Sequence, residues 1–415
     1  MSEASHQIYE TLTGADQAQA KEARNGLRHM ASLSMTKVAD GLIDPKLVLS
    51  WLSGALGAPA ALTGLLVPIR EAGALLPQIA LAGVVRARRH RKWVWAAGSL
   101  GQGVAAALAV LVALTLEGWA AGADLCAAVA LLALSRSAAS VSYKDILGKS
   151  VPATRRGAVT GVAGSVASAA VVLFALAMLS GALRDTGPVI AAIALTSVLW
   201  LGAAALFSRL EEDPSEPERG ARLDLSPLRD DPGFRRFIAV RGLLTATALA
   251  PPWFVLLGGG QSALQGLGAL LLASSAASFL SAYVWGRLAD RSSRLVLVAS
   301  GVTAALFSAL AVIAEIAGLA ALPGVIPGLL FLFMLAYHGV RQGRSTYLVD
   351  MAPEASRASY AALANTAIGI LLLGTGALGG LLALAGPVWA LAGFAGLSLG
   401  GGLLALRLDE VEHDA

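Results

Sequence analysis

The chain has 415 residues, of which 56% are hydrophobic and 14% charged, against about 25% charged in a soluble globular domain. That much apolar side chain exceeds what one soluble core absorbs, and it places the chain in a bilayer. The formal net charge of +4 gives no reason for a nucleic-acid partner, and the single cysteine, Cys126, excludes an internal disulfide and a thiolate-built metal cluster.

Residues 1–28 are polar and mixed in charge, without the basic start and short apolar core of a secretory signal, and read as a cytosolic segment. Twelve apolar runs of membrane-spanning length follow, near 29–55, 60–85, 93–115, 120–143, 157–181, 188–208, 234–257, 262–285, 294–316, 324–347, 358–384 and 387–407. Between the sixth and seventh lies RLEEDPSEPERGARLDLSPLRDDPGFRR, which is charged, contains proline and reads as a solvated linker. The expected organisation is therefore an all-α membrane protein: a six-helix half over 29–208, a linker over 209–233, a second six-helix half over 234–408 and a cytosolic tail over 409–415.

Ionisable residues inside membrane helices face a cavity or a partner. The first run contains MTKVADGLIDPKLVLSWL, where Lys37, Asp40 and Asp44 are spaced to share a helical face, and Pro45 loosens the backbone beside Asp44. Asp40 and Asp44 are candidate proton carriers; the plainer reading pairs Lys37 with Asp40. The second run carries Arg70 and Glu71 side by side. Neighbours on a helix point about 100° apart, so each needs its own partner: Asp40 or Asp44 for Arg70, and Arg136 of the fourth run for Glu71. Arg241, near the start of the seventh, reads as a side chain that snorkels to the aqueous surface. In the tenth, His338, Arg341 and Arg344 step by three along one face, with Arg344 nearest the surface. His338 is a further proton candidate. Lys46 adds a cation, and Trp51, Trp253 and Tyr337 are possible solute contacts.

Lys and Arg concentrate in alternate connections. Arg86, Arg88, Arg89, Arg91 and Lys92 follow the second run, and Lys144, Lys149, Arg155 and Arg156 follow the fourth. The linker holds Arg209, Arg219, Arg222, Arg229, Arg235 and Arg236, and the eighth–ninth loop holds Arg287, Arg291 and Arg294. On the other side only Arg184 appears. This bias puts both termini and the linker in the cytoplasm. The halves also match. Gly83 and Gly98 correspond to Gly286 and Gly301 at an offset of 203, and Pro152 and Arg156 correspond to Pro353 and Arg357 at an offset of 201. Repeated halves around a midplane site are a transporter architecture. The offset places Ala273 and Ser274 opposite Arg70 and Glu71, so the charged pair is particular to the first half.

GRLADRSSR, Gly286 to Arg294, resembles the loop motif of the major facilitator superfamily, departing from it at Ser293, where glycine is usual. GVVRARRHRK, from Gly83, keeps the glycine and the basic residues but has Ala87 in place of the acid. PATRRGA resembles the family's fourth–fifth loop. The resemblance spans about residues 29–408 and implies alternating access by two six-helix bundles, with the third, sixth, ninth and twelfth helices at the periphery. The third, sixth and twelfth runs hold no ionisable residue and the ninth only Glu315, which agrees. By the same resemblance Asp290 and Arg291 inherit a gating role, within a loop set of Gly83, Arg88, Gly286, Asp290, Arg291 and Arg294. Arg136 sits in the helix where many members carry an arginine linked to proton coupling, although the usual Gln-Gly downstream is missing.

These features make the expected function proton-coupled secondary transport of a small solute across the plasma membrane of a bacterium. The partners are that solute, protons and the lipid bilayer; nothing in the sequence sets the oligomeric state. The candidate set is Asp40, Asp44, Arg70, Glu71, Arg136, His338 and Arg341; with Lys46 counted, the cavity has a slight cationic excess, which suits an organic anion or a zwitterion. The fifth run lacks the Gly-Pro pair of the family's drug–proton antiporters, which counts against drug efflux without excluding it. A receptor or assembly subunit on a transporter-like scaffold is the alternative of another class. No HExxH or Walker loop is present, so neither an enzyme nor direct ATP drive is expected, and no cofactor or metal is called for.

Overall fold

The computed structural model describes residues 3–14, 19–181, 185–216, 225–260, 264–289, 291–353 and 356–411. Arg184, Arg219, Arg222 and Asp290 lie outside the described residues. Within them the chain is helical throughout and has no strand. α1 (Glu3–Thr13) leads into α2 (Ala20–Leu42), which breaks at Asp44–Pro45 and resumes as α3 (Val48–Ala55). α4 (Ala60–Leu75) and α5 (Gln78–Arg86) form one span bent by 43°, with Pro77, which lacks an N–H, at the bend. α6 (Lys92–Thr115), α7 (Gly118–Ser150), α8 (Ala153–Leu179) and α9 (Gly187–Ser208) complete the first half. After the linker come α10 (Ser226–Asp230) and a span interrupted at Thr245 and Ala250, made of α11 (Pro232–Leu243), α12 (Ala246–Leu249) and α13 (Pro251–Gly260). α14 (Leu264–Ala289), α15 (Ser293–Ile316), α16 (Val325–Met351), α17 (Arg357–Leu382) and α18 (Pro387–Ala405) follow.

Among the described residues, ten helical stretches are long and apolar enough to cross a membrane, and the bent α4–α5 pair makes eleven. The remaining expected run, α2–α3, carries the charges noted above. Leu100, Val104, Leu108, Leu111 and Leu114 of α6 are exposed. Such a stripe belongs against lipid.

In the first half, α6 packs on α7 and α9, α2 on α8 and α9, and α4 on α7. In the second, α15 packs on α16 and α18, and α14 on α16. The halves meet through α4 with α17, α8 with α14, and α3 with α13. Glycines let these backbones close: a Cβ on Gly268 would lie 2.6 Å from the Leu179 nitrogen, and one on Gly64 would lie 2.3 Å from the Trp253 ring. Away from the linker the seam holds buried Trp51, Trp253, Phe254 and Phe333, with a cavity of about 480 Å³ beside Trp51 and Phe254. Trp253 is thus packing rather than an open solute contact. Gly83 does not begin a loop, because α5 continues to Arg86, and Gly286 is likewise still within α14.

The repeat is visible in hydrogen bonds. Arg156 donates to the Gly148 carbonyl eight residues earlier, at 2.7 Å, and Arg357 donates to the Val349 carbonyl eight residues earlier, at 3.1 Å. Donor and acceptor are both displaced by the same 201 residues between halves. Each guanidinium satisfies a carbonyl that the end of α7 or α16 leaves without a helical donor. A second correspondence involves the chain leaving each half. Glu212 accepts from the backbone N–H groups of Arg91 and Lys92 at 3.0 and 2.8 Å, at the start of α6. Glu410 accepts from the Ser292 hydroxyl at 3.0 Å and pairs with Arg294 at 2.7 Å, at the start of α15. A carboxylate at a helix N-terminus is well placed for the exposed N–H groups and the dipole.

The first residues of the linker are therefore docked, not freely solvated. Glu211 receives Arg24 at 2.9 Å and Arg28 at 3.3 Å, and its backbone exchanges hydrogen bonds with the Asn25 amide. Asp213 holds Lys21 at 2.7 Å. α1 is fixed nearby by buried Tyr9, whose hydroxyl donates to Glu22 at 3.0 Å and whose ring lies over Gly26. Glu22 also pairs with Arg155.

Gly301 meets α18 so closely that a Cβ there would lie 2.7 Å from the Gly402 Cα. Gly301→Ala is expected to cost ~1–3 kcal/mol by overpacking and to lower the melting temperature in detergent, whereas Gly161→Ala, with open space around it, leaves it unchanged. The Glu211 carboxyl is held below its usual 4.5 by its hydrogen bond to Arg24. A depressed carboxyl contributes fully above its unfolded value and loses that contribution as pH falls through the folded value. A spin label at position 216 is therefore expected to stay immobile at neutral pH and to gain mobility as pH drops below about 4.5; unchanged mobility there would show that the strap does not depend on this pair.

Candidate functional site

The break at Ile43–Leu47 decides where the charges of the first span go. The Asp44 carbonyl accepts from both Val48 and Leu49 N–H groups, at 2.9 and 3.1 Å, which starts the α3 helix afresh. Asp40 stays on α2, while Asp44 and Lys46 occupy the non-helical turn. Opposite them stand Arg70 and Glu71 on α4 and Arg136 on α7.

Asp40 bridges two guanidiniums: one oxygen lies 2.8 Å from Arg136 and the other 3.4 Å from Arg70. Glu71 pairs with Lys46 at 2.7 Å, and the Lys46 ammonium also lies 5.3 Å from the centre of the Tyr337 ring on α16. The expectation that Arg70 and Glu71 need separate partners is met, and Arg70 takes Asp40. The expected Arg136–Glu71 pair is not formed; Lys46, freed from helical register by the break, reaches Glu71 instead. Lys37 does not pair with Asp40 either, and donates to the Thr160 carbonyl at 3.1 Å. Among the described residues Asp44 makes no ion pair; one oxygen faces the Lys46 backbone N–H at 3.4 Å.

Asp40, Asp44, Lys46, Arg70, Glu71, Arg136, Tyr337, Arg341 and Arg344 line one cavity of about 380 Å³, with Gln78 at its edge. His338 lines the adjoining cavity, of about 870 Å³, with Lys144, Arg241, Arg341, Arg344 and Asn365. Arg341 and Arg344 border both. Both cavities lie in the linker-side half of the molecule, and α6, α9, α15 and α18 contribute nothing to either lining.

Arg241 does not snorkel. It is 7% exposed and donates to the Asn365 Oδ1 at 3.0 Å. Its position two turns into α11 looked close to the surface, but the bundle encloses that turn. Arg344 likewise lines both cavities rather than reaching past them. Asn365 was missed because a lone amide in an apolar run has no distinguishing pattern. Lys46 was noted as a cation but not as the partner of Glu71; the preceding proline was the available signal. Of the loop set, Arg88 and Arg291 are exposed and Arg294 is tied to Glu410. GLSLG, Gly396 to Gly400, has the spacing of a nucleophile elbow, but it lies within α18 with Ser398 buried, not at the strand–helix turn that motif requires. Cys126 is half-buried against the Leu62 carbonyl at 3.5 Å. Among the described residues no group of three His, Cys, Asp or Glu side chains is placed to hold a metal ion.

Two repeated helical halves meet around a charged central cavity. Neither a protein-family model nor a curated protein matches the sequence. Among solved structures, the chain is similar to a mutant form of the nucleoside transporter NupG, with a TM-score of 0.72 and 13% identity over 93% of this chain and 100% of that one. It is also similar to the inward-open xylose transporter XylE from E. coli, with a TM-score of 0.64 and 12% identity over 94% and 97% of the two chains. An auto-inhibited POT family peptide transporter gives 0.65 and 13% over 94% and 99%. At these identities the likeness is one of fold.

The arrangement orders two substitutions. Asp40→Asn leaves both Arg70 and Arg136 without a counter-ion, whereas Arg136→Gln leaves Asp40 with Arg70. Breaking a fully buried pair costs about 3–5 kcal/mol, and these partly exposed pairs cost less. Asp40→Asn should therefore lower the melting temperature more than Arg136→Gln, and adding Arg136→Gln to Asp40→Asn should recover part of the loss. Equal effects of the two single changes would show that Asp40 does not bridge.

Proposed function

We propose that the chain is a proton-coupled secondary transporter that moves a small organic anion, or a zwitterion with an exposed acidic group, by alternating access. The observation that carries this reading is the charge of the cavity between the halves. In the first half, Asp40, Asp44 and Glu71 face Lys46, Arg70 and Arg136. In the second, Arg241, Arg341 and Arg344 line the larger cavity, where no carboxylate stands among the described residues, and Arg341 and Arg344 reach the smaller one, whose three carboxylates are already matched by Lys46, Arg70 and Arg136. A solute carrying negative charge supplies what this surface lacks. The charged cavities lie toward the linker, while the cavity on the far side is lined mainly by apolar residues, which suits an inward-facing state with the linker and both termini in the cytoplasm, as the lysine and arginine bias suggests.

Asp44 is the proton carrier in this scheme. Asp40 is engaged by two guanidiniums and Glu71 by Lys46, so among the described residues of the cavity Asp44 is the carboxylate without an ion pair. It sits in the helix break, where α3 can reorient against α2. Solute and proton bias the same equilibrium between inward- and outward-facing states, which is what coupling requires. Asp290 and Arg291 belong to this proposal as linker-side gate residues, as do the exposed arginines of the matching first-half loop. The similarity to transporters of a nucleoside, a sugar and peptides supports transport rather than catalysis; the solute class rests on the cavity charge. A receptor or assembly subunit on this scaffold would bind solute without moving it.

The test is uptake by reconstituted liposomes under an imposed pH gradient, with a panel of mono- and dicarboxylates, phosphate esters, amino acids and neutral sugars. Accumulation of an acidic solute that follows the gradient is expected. Asp44→Asn should abolish gradient-driven accumulation while preserving exchange of labelled for unlabelled solute. Binding without flux of any solute would favour the receptor, and flux indifferent to the gradient would remove proton coupling.

A further inference from the structure

We infer that Arg241, Arg344 and Arg341 form an oxyanion subsite in the larger cavity, taking a carboxylate or phosphoryl group. The inference deepens the transport reading above and rests on it only for the fate of the bound group. Arg241 is the anchor. Its side chain is more than nine-tenths buried, borders the cavity, and has a buried Nε with no hydrogen-bond partner among the described residues. Among the described residues its hydrogen-bond partner is the neutral amide of Asn365, at 3.0 Å. That amide is itself oriented, because its nitrogen points to the Gln78 Oε1 on α5 at 3.5 Å. The oxygen is thereby directed at Arg241 and the nitrogen across to the other half.

The surroundings give the guanidinium no counter-ion. The other ionisable groups on this cavity are Lys144, His338, Arg341 and Arg344, and no aspartate or glutamate lines it. Neither Arg341 nor Arg344 has an ion pair among the described residues. Arg241 is buried, Arg344 half-buried and Arg341 exposed; like charges lining one cavity repel, and an uncompensated buried charge such as Arg241 is costly. Ser278, Ser281 and Ser345 supply neutral donors on the same surface. Guanidinium forks fit carboxylate and phosphate geometry through paired hydrogen bonds. Arg341 and Arg344 also border the smaller cavity, so an anion here lies next to the ion-pair network of Asp40 and Glu71. An acidic group held by α11 and α16, which approaches Gln78 of α5, bridges the two halves where the linker-side gate would close.

Such a group belongs either to a free solute or to a lipid headgroup, and one experiment separates them. The full chain is placed in nanodiscs of phosphatidylcholine and titrated with succinate, inorganic phosphate and glucose, followed by calorimetry and thermal melting. Binding of succinate or phosphate but not glucose is expected, weakened about ten- to a hundredfold in Arg241→Gln, the worth of a hydrogen bond to a charged group. Asn365→Asp is the decisive variant. It gives Arg241 an internal carboxylate, so it should remove anion binding while keeping or raising the melting temperature; a purely structural arginine would show the stability effect without the binding effect. If neither probe binds but phosphatidylglycerol added to the nanodisc raises the melting temperature in an Arg241-dependent way, the subsite stands and its ligand is a headgroup. Anion binding that survives both substitutions in folded protein overturns the subsite, as does the absence of all binding. Anion binding without flux would leave the subsite and remove the transport reading; flux of neutral solutes indifferent to Arg241→Gln would do the reverse.

Discussion

The Asp40 carboxylate, shared by Arg70 and Arg136, is the contact on which the rest of the molecule turns. A lone charge at the centre of a membrane helix costs about 2.5–3.5 kcal/mol on insertion scales, so none of these three side chains is tolerable by itself. Together they pin α2 to α4 and α7 and fix the first half as a unit. With Arg70 so occupied, Glu71 on the same turn of α4 must look elsewhere, and the break after α2 brings it Lys46. The first half thus closes its own charge account. Among the described residues, the second contributes cations but no carboxylate to the cavity surface, and that asymmetry is the basis of the solute class proposed above.

Much of the fold was readable from the apolar runs, because a span of lipid demands about 20 apolar residues whatever the detailed packing. The twelve runs correspond to the helical spans from α2–α3 through α18. Charges placed against that background were equally conspicuous, and Asp44, Arg70, Arg136 and Arg341 do line one cavity. Their pairing was not readable. Which cation reaches Glu71 depends on how far a broken helix displaces Lys46, and no periodicity encodes that. Arg241 misled for a related reason. Distance along the chain from a helix start says how deep a residue sits only if the helix ends at the membrane surface, and here the surrounding bundle buries that turn.

The linker misled in another way. Its composition is that of solvated chain, yet Glu211, Glu212 and Asp213 are bound to the first half. A run of acids beside loops rich in lysine and arginine has partners within reach, and composition averaged over the segment conceals them. The mirrored bonds of Arg156 and Arg357 show what survives as two halves diverge. The residues around them differ, but a helix end still needs a donor for its last carbonyls, and an arginine eight residues on still supplies it.

The seam away from the linker is made of aromatic rings seated on glycine: Trp253 over Gly64 is the clearest case. Contacts of this kind have no preferred bonding direction. Among the described residues, parting them exposes apolar surface and breaks no ion pair, so the cost follows the area uncovered. Enlarging or trimming one ring would therefore change how readily the two halves part at this end without touching the charges of the cavity.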